Sequence, residues 1–384
     1  MCAKQLDIVW EADPHTIAKS EILRAYLVAY FQILGMSKPG QTILYIDGFA
    51  GPDQYTNFQH GSPTAALLAA QDALMNSHAR WRAGDLHCAF IESESERFQN
   101  MDQKIHPFRG VNRLKIHTYN TDFVTGLLSL RKEIPAPFAK SHPLFVFIDP
   151  FGATGAPFSA VKEILTSDCS EVLINLDADG IARIFRARDK ANYGPLLTKI
   201  YGDQSWAGEL KDAEPFSTLC RKALHLYTTK LRLIPGIRYV FSFEMQKQAG
   251  ALNYFLVFAS KHPLGLTKMK EAMKRIDQDG SYCFADANVS QPSLFRFDHP
   301  EEYARHLHRH FQGKIVSYQS VENEINDYAL NQTPFLNAKA MLAALEKQKL
   351  ISVTASGAKR RQGTFKEGVV RKIEFITRAN GFQF

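Results

Sequence analysis

Short apolar runs alternate with amphipathic stretches along most of this chain, and the alternation itself predicts the fold class. From Pro14 to Leu34, residues Ile17, Ile22, Leu23, Tyr26, Leu27, Tyr30 and Phe31 recur at helical spacing and predict a helix with one broad apolar face. A β-rich run follows from Thr42 to Asp47, and a long polar loop then leads to Gly61-Ser62-Pro63-Thr64. Ser62 is suited to cap a helix there, with Pro63 at its first position and an Ala- and Leu-rich body from Thr64 to Met75. Further strands are predicted at Leu86–Ile91, Leu114–Tyr119, Leu144–Ile148 and Glu171–Leu176, with helices between the earlier ones, Glu94–Lys104 the most charged. Arg238–Met245 and Tyr254–Ser260 predict two neighbouring late strands, and Lys268–Ile276 a helix. This alternation makes the chain α/β, with a parallel sheet covered by helices on both faces.

Periodicity fades between Asp286 and Pro300, which reads as a linker dividing residues 1–285 from a smaller domain at 301–384. In that second part Asn337–Gln348 predicts a helix and Leu350–Thr354 a strand. A basic turn, Gly357 to Gly363, precedes another strand at Lys372–Ile376. Helix, strand, basic loop and strand are the ending of a winged-helix-like α+β module. Lys359, Arg360 and Arg361 in the turn are placed to lie along a phosphate backbone; an ordinary charged hairpin is the competing reading.

A chain of 384 residues, 45% hydrophobic, has enough apolar material for a sizeable core. No apolar run reaches the roughly 20 residues of a membrane span, and the polar N-terminus lacks a secretory core. Five scattered cysteines without a CxxC pair predict reduced thiols and a cytoplasmic protein. The net charge of +7 favours an anionic partner, and residues 301–384 carry 13 Lys/Arg against 8 Asp/Glu. His306 and His310 form an i, i+4 pair, but no third ligand is evident, so no metal site is expected.

Four strands end in acids. Ligands of open α/β sheets sit outside strand carboxyl ends, so Asp47, Glu92, Asp122 and Asp149 are the candidate site. Gly48 and Gly51, flanking Phe49 and Ala50, let the backbone approach a ligand closely. Glu92 is placed to accept both hydroxyls of a ribose, and Asp122 to accept from an adenine amine. Phe123 and Ile91 are placed to cover the two faces of the ring. The competing reading makes each acid a helix cap. The stretch Asp47-Gly48-Phe49-Ala50-Gly51-Pro52-Asp53 lacks the three glycines of a dinucleotide fingerprint, and Asp53 would repel a pyrophosphate but tolerate a sulfonium. S-adenosylmethionine is therefore the expected cofactor.

The D-x-F-A-G loop resembles that of class I methyltransferases, where it follows strand one and holds the methionine part of the cofactor; Asp53 stands where that loop usually has glycine. More closely, the chain resembles the three-Cys-motif partner proteins of bacteria and phages. The matching segments are Tyr45–Pro52, Gly61-Ser62-Pro63, Phe90-Ile91-Glu92, Phe147–Gly152 and Leu264–Lys270. The resemblance implies a Rossmann-like class I methyltransferase sheet, parallel with a late antiparallel strand. It also implies a protein partner bearing the cysteine motif, which this chain lacks.

Asp149-Pro150-Phe151-Gly152 sits where amino-methyltransferases keep a D/N-P-P-Y/F tetrapeptide, and it is similar to that of tRNA guanine-N2 dimethyltransferases. In that role Asp149 and the Pro150 carbonyl would hold an exocyclic amine while Phe151 stacks on a flipped base. Otherwise Asp-Pro merely ends a buried strand. Asp177, Asp179 and Gly180 are candidates for the same cleft; Arg183, Arg186 and Arg188 suit either phosphate contacts or a solvated helix face. The expected function is methylation of nucleic acid at a purine amine. The alternative is a catalytically inactive methyltransferase shell that binds nucleic acid as a partner protein.

Overall fold

The computed structural model describes residues 11–139, 141–153, 155–187, 190–211, 213–246, 254–277, 283–285, 299–357 and 360–377. Two compact units divide the chain: Met1–Gln278 with Tyr282–Pro292, and Asp279–Ser281 with Ser293–Phe384. Most of the expected linker, 286–298, lies outside the described residues, and its final residue, Pro300, instead opens a helix.

Eight strands form one sheet in the first unit. They are β1 Ile43–Asp47, β2 Leu86–Ile91, β3 Leu114–Tyr119, β4 Leu144–Ile148, β5 Ser170–Leu176, β6 Tyr239–Gln246, β7 Tyr254–Ser260 and β8 Cys283–Ala285. Their spatial order is 3-2-1-4-5-7-6-8. The first five are parallel, and β7 runs antiparallel to both β5 and β6. This is the Rossmann-like sheet of a class I methyltransferase fold, continued by β8. Every residue of β1 and β4 is buried, as central parallel strands covered on both faces require, which is why their sequences are unbroken apolar runs.

Helix α1 (Pro14–Ser37) buries Ile22, Leu23, Tyr26, Leu27, Tyr30 and Phe31, and packs against α2 (Ser62–Asn76) and the Pro263–Ile276 helix. Helices α3 (Ser95–Ile105) and α4 (Phe123–Glu133) follow β2 and β3. Two boundaries differ from expectation. Ser62 lies inside α2 rather than capping it, because Asp53 Oδ1 takes the Thr64 amide at 3.0 Å. The late helix begins at Pro263, not Lys268, because His262 Nδ1 accepts from the Leu264 amide and starts the turn early.

The second unit runs Pro300–Phe311 helix, β9 Ile315–Ser317, helices Asn326–Gln332 and Lys339–Lys347, β10 Ile351–Ala355 and β11 Val370–Phe375. Its sheet is antiparallel in the order β10-β11-β9. Leu307, Phe311, Ile325, Leu342, Leu345 and Phe375 belong to a core of its own.

Close packing of α4 on β2 depends on Gly126, where a Cβ would lie 2.8 Å from Ile91 Cδ1. Overfilling a tight core contact costs about 1–3 kcal/mol, so Gly126→Val is expected to lower the unfolding free energy by that much and move the urea midpoint down accordingly. An unchanged midpoint would show that Ile91 yields freely.

Candidate active site

β1 ends on Asp47, flanked across the sheet by Phe90 of β2 and Phe147 of β4. Strand order reverses here, and open α/β sheets take their ligands in the crevice outside the carboxyl ends of the strands at such a point. The Gly48 amide donates to Phe147 O and the Ala50 amide to Ile91 O, both at 2.9 Å, which draws the loop over β2. A Cβ at Gly48 would stand 2.7 Å from the Phe123 ring. Gly51, at φ +66°, turns its amide onto Glu92 Oε2 at 2.8 Å, and Glu92 Oε1 accepts from the Glu94 amide at 2.8 Å. Each carboxylate oxygen still has a second lone pair for a ligand donor.

Asp47 is wholly buried. Its Oδ1 accepts from the Phe49 amide at 3.2 Å, and its Oδ2 has no hydrogen-bond partner among the described residues. Burial pushes the carboxyl up to about 7, against the pull of the nearby Ser62 hydroxyl and the Phe49 amide; Asp149 and Asp53 add to the rise.

Asp149, just past β4, is held on both sides. Lys19 Nζ of α1 lies 2.6 Å from Oδ2, and Asn175 Nδ2 of β5 donates to Oδ1 at 2.6 Å. Asn175 Oδ1 is buried without a partner among the described residues. Pro150 is buried, whereas Phe151 is 60% exposed, with the Arg97 guanidinium 5.0 Å from its ring centroid. Gly152, at φ +83°, turns the chain with open space where a Cβ would stand. The Tyr55 hydroxyl is pushed up by its burial and by Asp149, Asp53 and Asp47, with Arg97 opposing, so it shares the electrostatics of this crevice.

Several expectations need correction. Phe123 is 3% exposed and stacks under Phe49 at 5.3 Å, and Ile91 is buried against Gly126. Neither offers a free face to an adenine ring. Asp122 is exposed and caps α4, accepting from the Val124 and Thr125 amides and the Thr125 hydroxyl. Asp53, at φ +57°, occupies the left-handed conformation that glycine usually supplies, and its buried carboxyl turns onto Thr64. It therefore does not face a ligand charge, and only the missing glycines weigh against a pyrophosphate at this loop. Asp177 caps the Ala178–Arg186 helix through the Gly180 amide, and Asp179 accepts from Cys220 Sγ at 3.3 Å. Arg183 lies on that helix's solvated face, 3.5 Å from Asp179; Arg186 reaches the Glu214 carbonyl; Arg188 lies outside the described residues.

The basic turn is also different. Lys359 lies outside the described residues. Arg360 is not free for phosphate: it grips Glu346 through both terminal nitrogens at 2.6 and 2.7 Å and covers the Phe365 ring at 4.9 Å. Of the two described arginines of the turn, Arg361 is the exposed one. No group of three or more potential metal ligands occurs among the described residues.

Lys19, Tyr55, Arg97 and Asn175 were missed from the sequence. Asn175 alone left a signal, an amide within the apolar strand Val-Leu-Ile-Asn-Leu. The others come to the crevice from distant helices and loops.

No family model matches the chain, and no curated protein matches it. Among solved structures, the O-methyltransferase from Bacillus cereus in complex with SAH aligns at 12% identity over 65% of this chain and 83% of that one, with TM-score 0.32. Cofactor-bound Rv0187 from MTB aligns at 9% identity over 65% and 91%, with TM-score 0.32. At these scores the likeness is loose.

Two outcomes follow from this geometry. Asp47 keeps its proton in the folded state to about pH 7 but loses it near 3.8 when unfolded. Its contribution is therefore full below pH 3.8 and is lost as pH rises through 7. Asp47→Asn should raise stability at pH 8, by on the order of 4 kcal/mol, and change it little at pH 3.5; an Asn variant weaker at pH 8 would contradict the buried-acid reading. Removing Arg360 strands the carboxylate of Glu346, whose pKa that guanidinium lowers. Arg360→Ala should cost about 3 kcal/mol at pH 7, and less as pH falls below the ordinary value of 4.5; Arg361→Ala should be silent in the same melts.

Proposed function

We propose that the crevice binds S-adenosylmethionine and that the protein methylates nucleic acid at an exocyclic purine amine. The observation that carries this reading is the buried Asp47 carboxyl beside a glycine-lined loop: among the described residues its Oδ2 meets no donor in good hydrogen-bond geometry, although the Ser62 hydroxyl is close enough to pull on it. A buried acceptor of this kind is costly unless a donor meets it, and an amino-acid ammonium is such a donor. Open space where Cβ atoms of Gly51 and Gly152 would stand leaves room for it. The unused lone pairs of Glu92 suit ribose hydroxyls. Asp122 is left at the rim, within the role of an outer contact to the adenine amine.

When bound, the cofactor supplies an electrophilic methyl on a positive sulfur. Asp149 then does the orienting work: each of its oxygens keeps one lone pair beyond the Lys19 and Asn175 bonds. Those lone pairs and the Pro150 carbonyl accept the amine hydrogens, fixing the nitrogen lone pair toward the methyl. The amine would gain the methyl carbon as the carbon–sulfur bond breaks with its electron pair left on sulfur, and it would shed one proton to the Asp149 carboxylate that holds it. Phe151, exposed beside it, offers a stacking face for an unpaired base.

In the second unit the order helix, strand, two helices, strand, strand supports a winged-helix-like module. Arg361 and the surplus of positive charge favour a phosphate backbone. The resemblance to three-Cys-motif partner proteins adds a protein partner carrying that motif.

One observation favours a second reading, an inactive shell that binds nucleic acid without modifying it: Lys19 and Asn175 already occupy both oxygens of Asp149. Calorimetry with S-adenosylmethionine, joined to transfer of a labelled methyl into mixed tRNA and DNA, separates the two. Wild type should bind and transfer, while Asp149→Ala should bind within about threefold and lose at least 100-fold in rate. Binding without transfer in wild type would favour the shell, and no binding would remove the cofactor from the account.

A further inference from the structure

A cavity of about 520 Å³ opens at the other end of the same sheet. Pro143, Ser170 and Glu171 line it where β4 and β5 begin, and Ser260 where the reversed β7 ends. Asp47, Glu92 and Asp149 lie past the opposite, carboxyl ends, so this is a separate site.

Its floor is polar and built. The Tyr26 hydroxyl donates to Glu171 Oε2, and Ser260 Oγ donates to Oε1 at 2.6 Å. Burial pushes the Glu171 carboxyl up, with the Ser260 and Tyr26 hydroxyls opposing. Gly265 explains itself here: a Cβ would overlap Glu171 Oε1 and lie 2.8 Å from Ser260 Oγ. That glycine belongs to Leu264–Lys270, a segment for which the methyl-transfer crevice has no use. Beside the floor, the hydroxyl of Tyr30 is buried with no hydrogen-bond partner among the described residues. The walls are apolar, with Ile33, Leu34 and Leu264, whereas Lys38, Lys261 and Lys268 stand around the cavity beside Asp168. Lys38 reaches Cys169 Sγ at 3.6 Å, Lys261 donates to the Thr166 and Ser167 carbonyls, and Lys268 pairs with Glu271 at 2.8 Å, so each ammonium spends only part of its three donors.

We infer that this cavity binds a small organic anion with an aromatic body, its charge at the lysines and a hydrogen-bonding group reaching the Tyr30 hydroxyl. The volume lies in the range of small-molecule sites. A bare inorganic anion would leave the apolar walls wet. An aliphatic tail would leave Tyr30 and Glu171 facing hydrocarbon. An aromatic ring polar at both ends meets all three surfaces.

Coumarin-3-carboxylate and its 7-hydroxy derivative are fluorescent probes of this shape, one without the far hydroxyl and one with it. Titrated into the full chain, both should bind one-to-one, the hydroxy compound about tenfold tighter. Tyr30→Phe removes a hydroxyl that bonds to nothing described, so it should melt normally yet abolish the difference between the probes. Lys38→Glu combined with Lys268→Glu should weaken both probes about tenfold. S-adenosylhomocysteine should displace neither. Absence of saturable binding, unchanged affinity in the lysine variant, a hydroxyl advantage that survives Tyr30→Phe, or displacement by S-adenosylhomocysteine would each overturn the inference. None of these outcomes depends on whether the other crevice transfers methyl groups.

Discussion

The carboxylate of Glu92 ties together the loops that form the crevice. It receives the Gly51 amide from the loop after β1 and the Glu94 amide at the start of α3, while its own carbonyl accepts from Asn120 after β3. Hydrogen bonds to an ionised acceptor are stronger than neutral ones. Loop amides drawn this far inside need such partners. One residue thus fixes the spacing of three strand ends, and the open side of the glycine loop is what remains for a ligand.

The two acids nearest the strand-order reversal are treated in opposite ways. Asp149 is compensated by Lys19 and Asn175 and stays near the surface. Asp47 is sealed in with the Phe49 amide and the nearby Ser62 hydroxyl as its opposing donors, and burial outweighs them and raises its pKa. An arrangement that lowers stability without an evident structural return is what functional sites accumulate. Helix α1 spans both ends of this design. Its early turns send Lys19 to Asp149, and its later turns send Tyr26 and Tyr30 to the cavity at the opposite edge.

In the second unit the conspicuous basic turn is partly a structural device. Arg360 closes the turn by binding Glu346 and covering Phe365, and the Gly363 amide shares the same carboxylate at 2.7 Å. A cluster of basic residues in sequence therefore overstates the charge offered to a partner.

The sequence by itself determined the strands and their polarity. Apolar runs such as Leu144–Ile148 can be satisfied only when buried on both faces, and the acids that close them mark the ends facing a ligand. It also marked Asp47, Gly48, Gly51, Glu92 and Asp149 as one group, since strand alternation alone brings their positions to one edge. Tertiary structure decided what each side chain does there. Whether an acid caps a helix, as Asp122 and Asp53 do, or keeps an oxygen free, as Asp47 does, depends on which amides and cations other elements deliver. Lys19 reaches Asp149 across 130 positions of chain, and Tyr26 reaches Glu171 across 145. Pairings at such separations are set by how helices pack on the sheet, and no local pattern of residues encodes them.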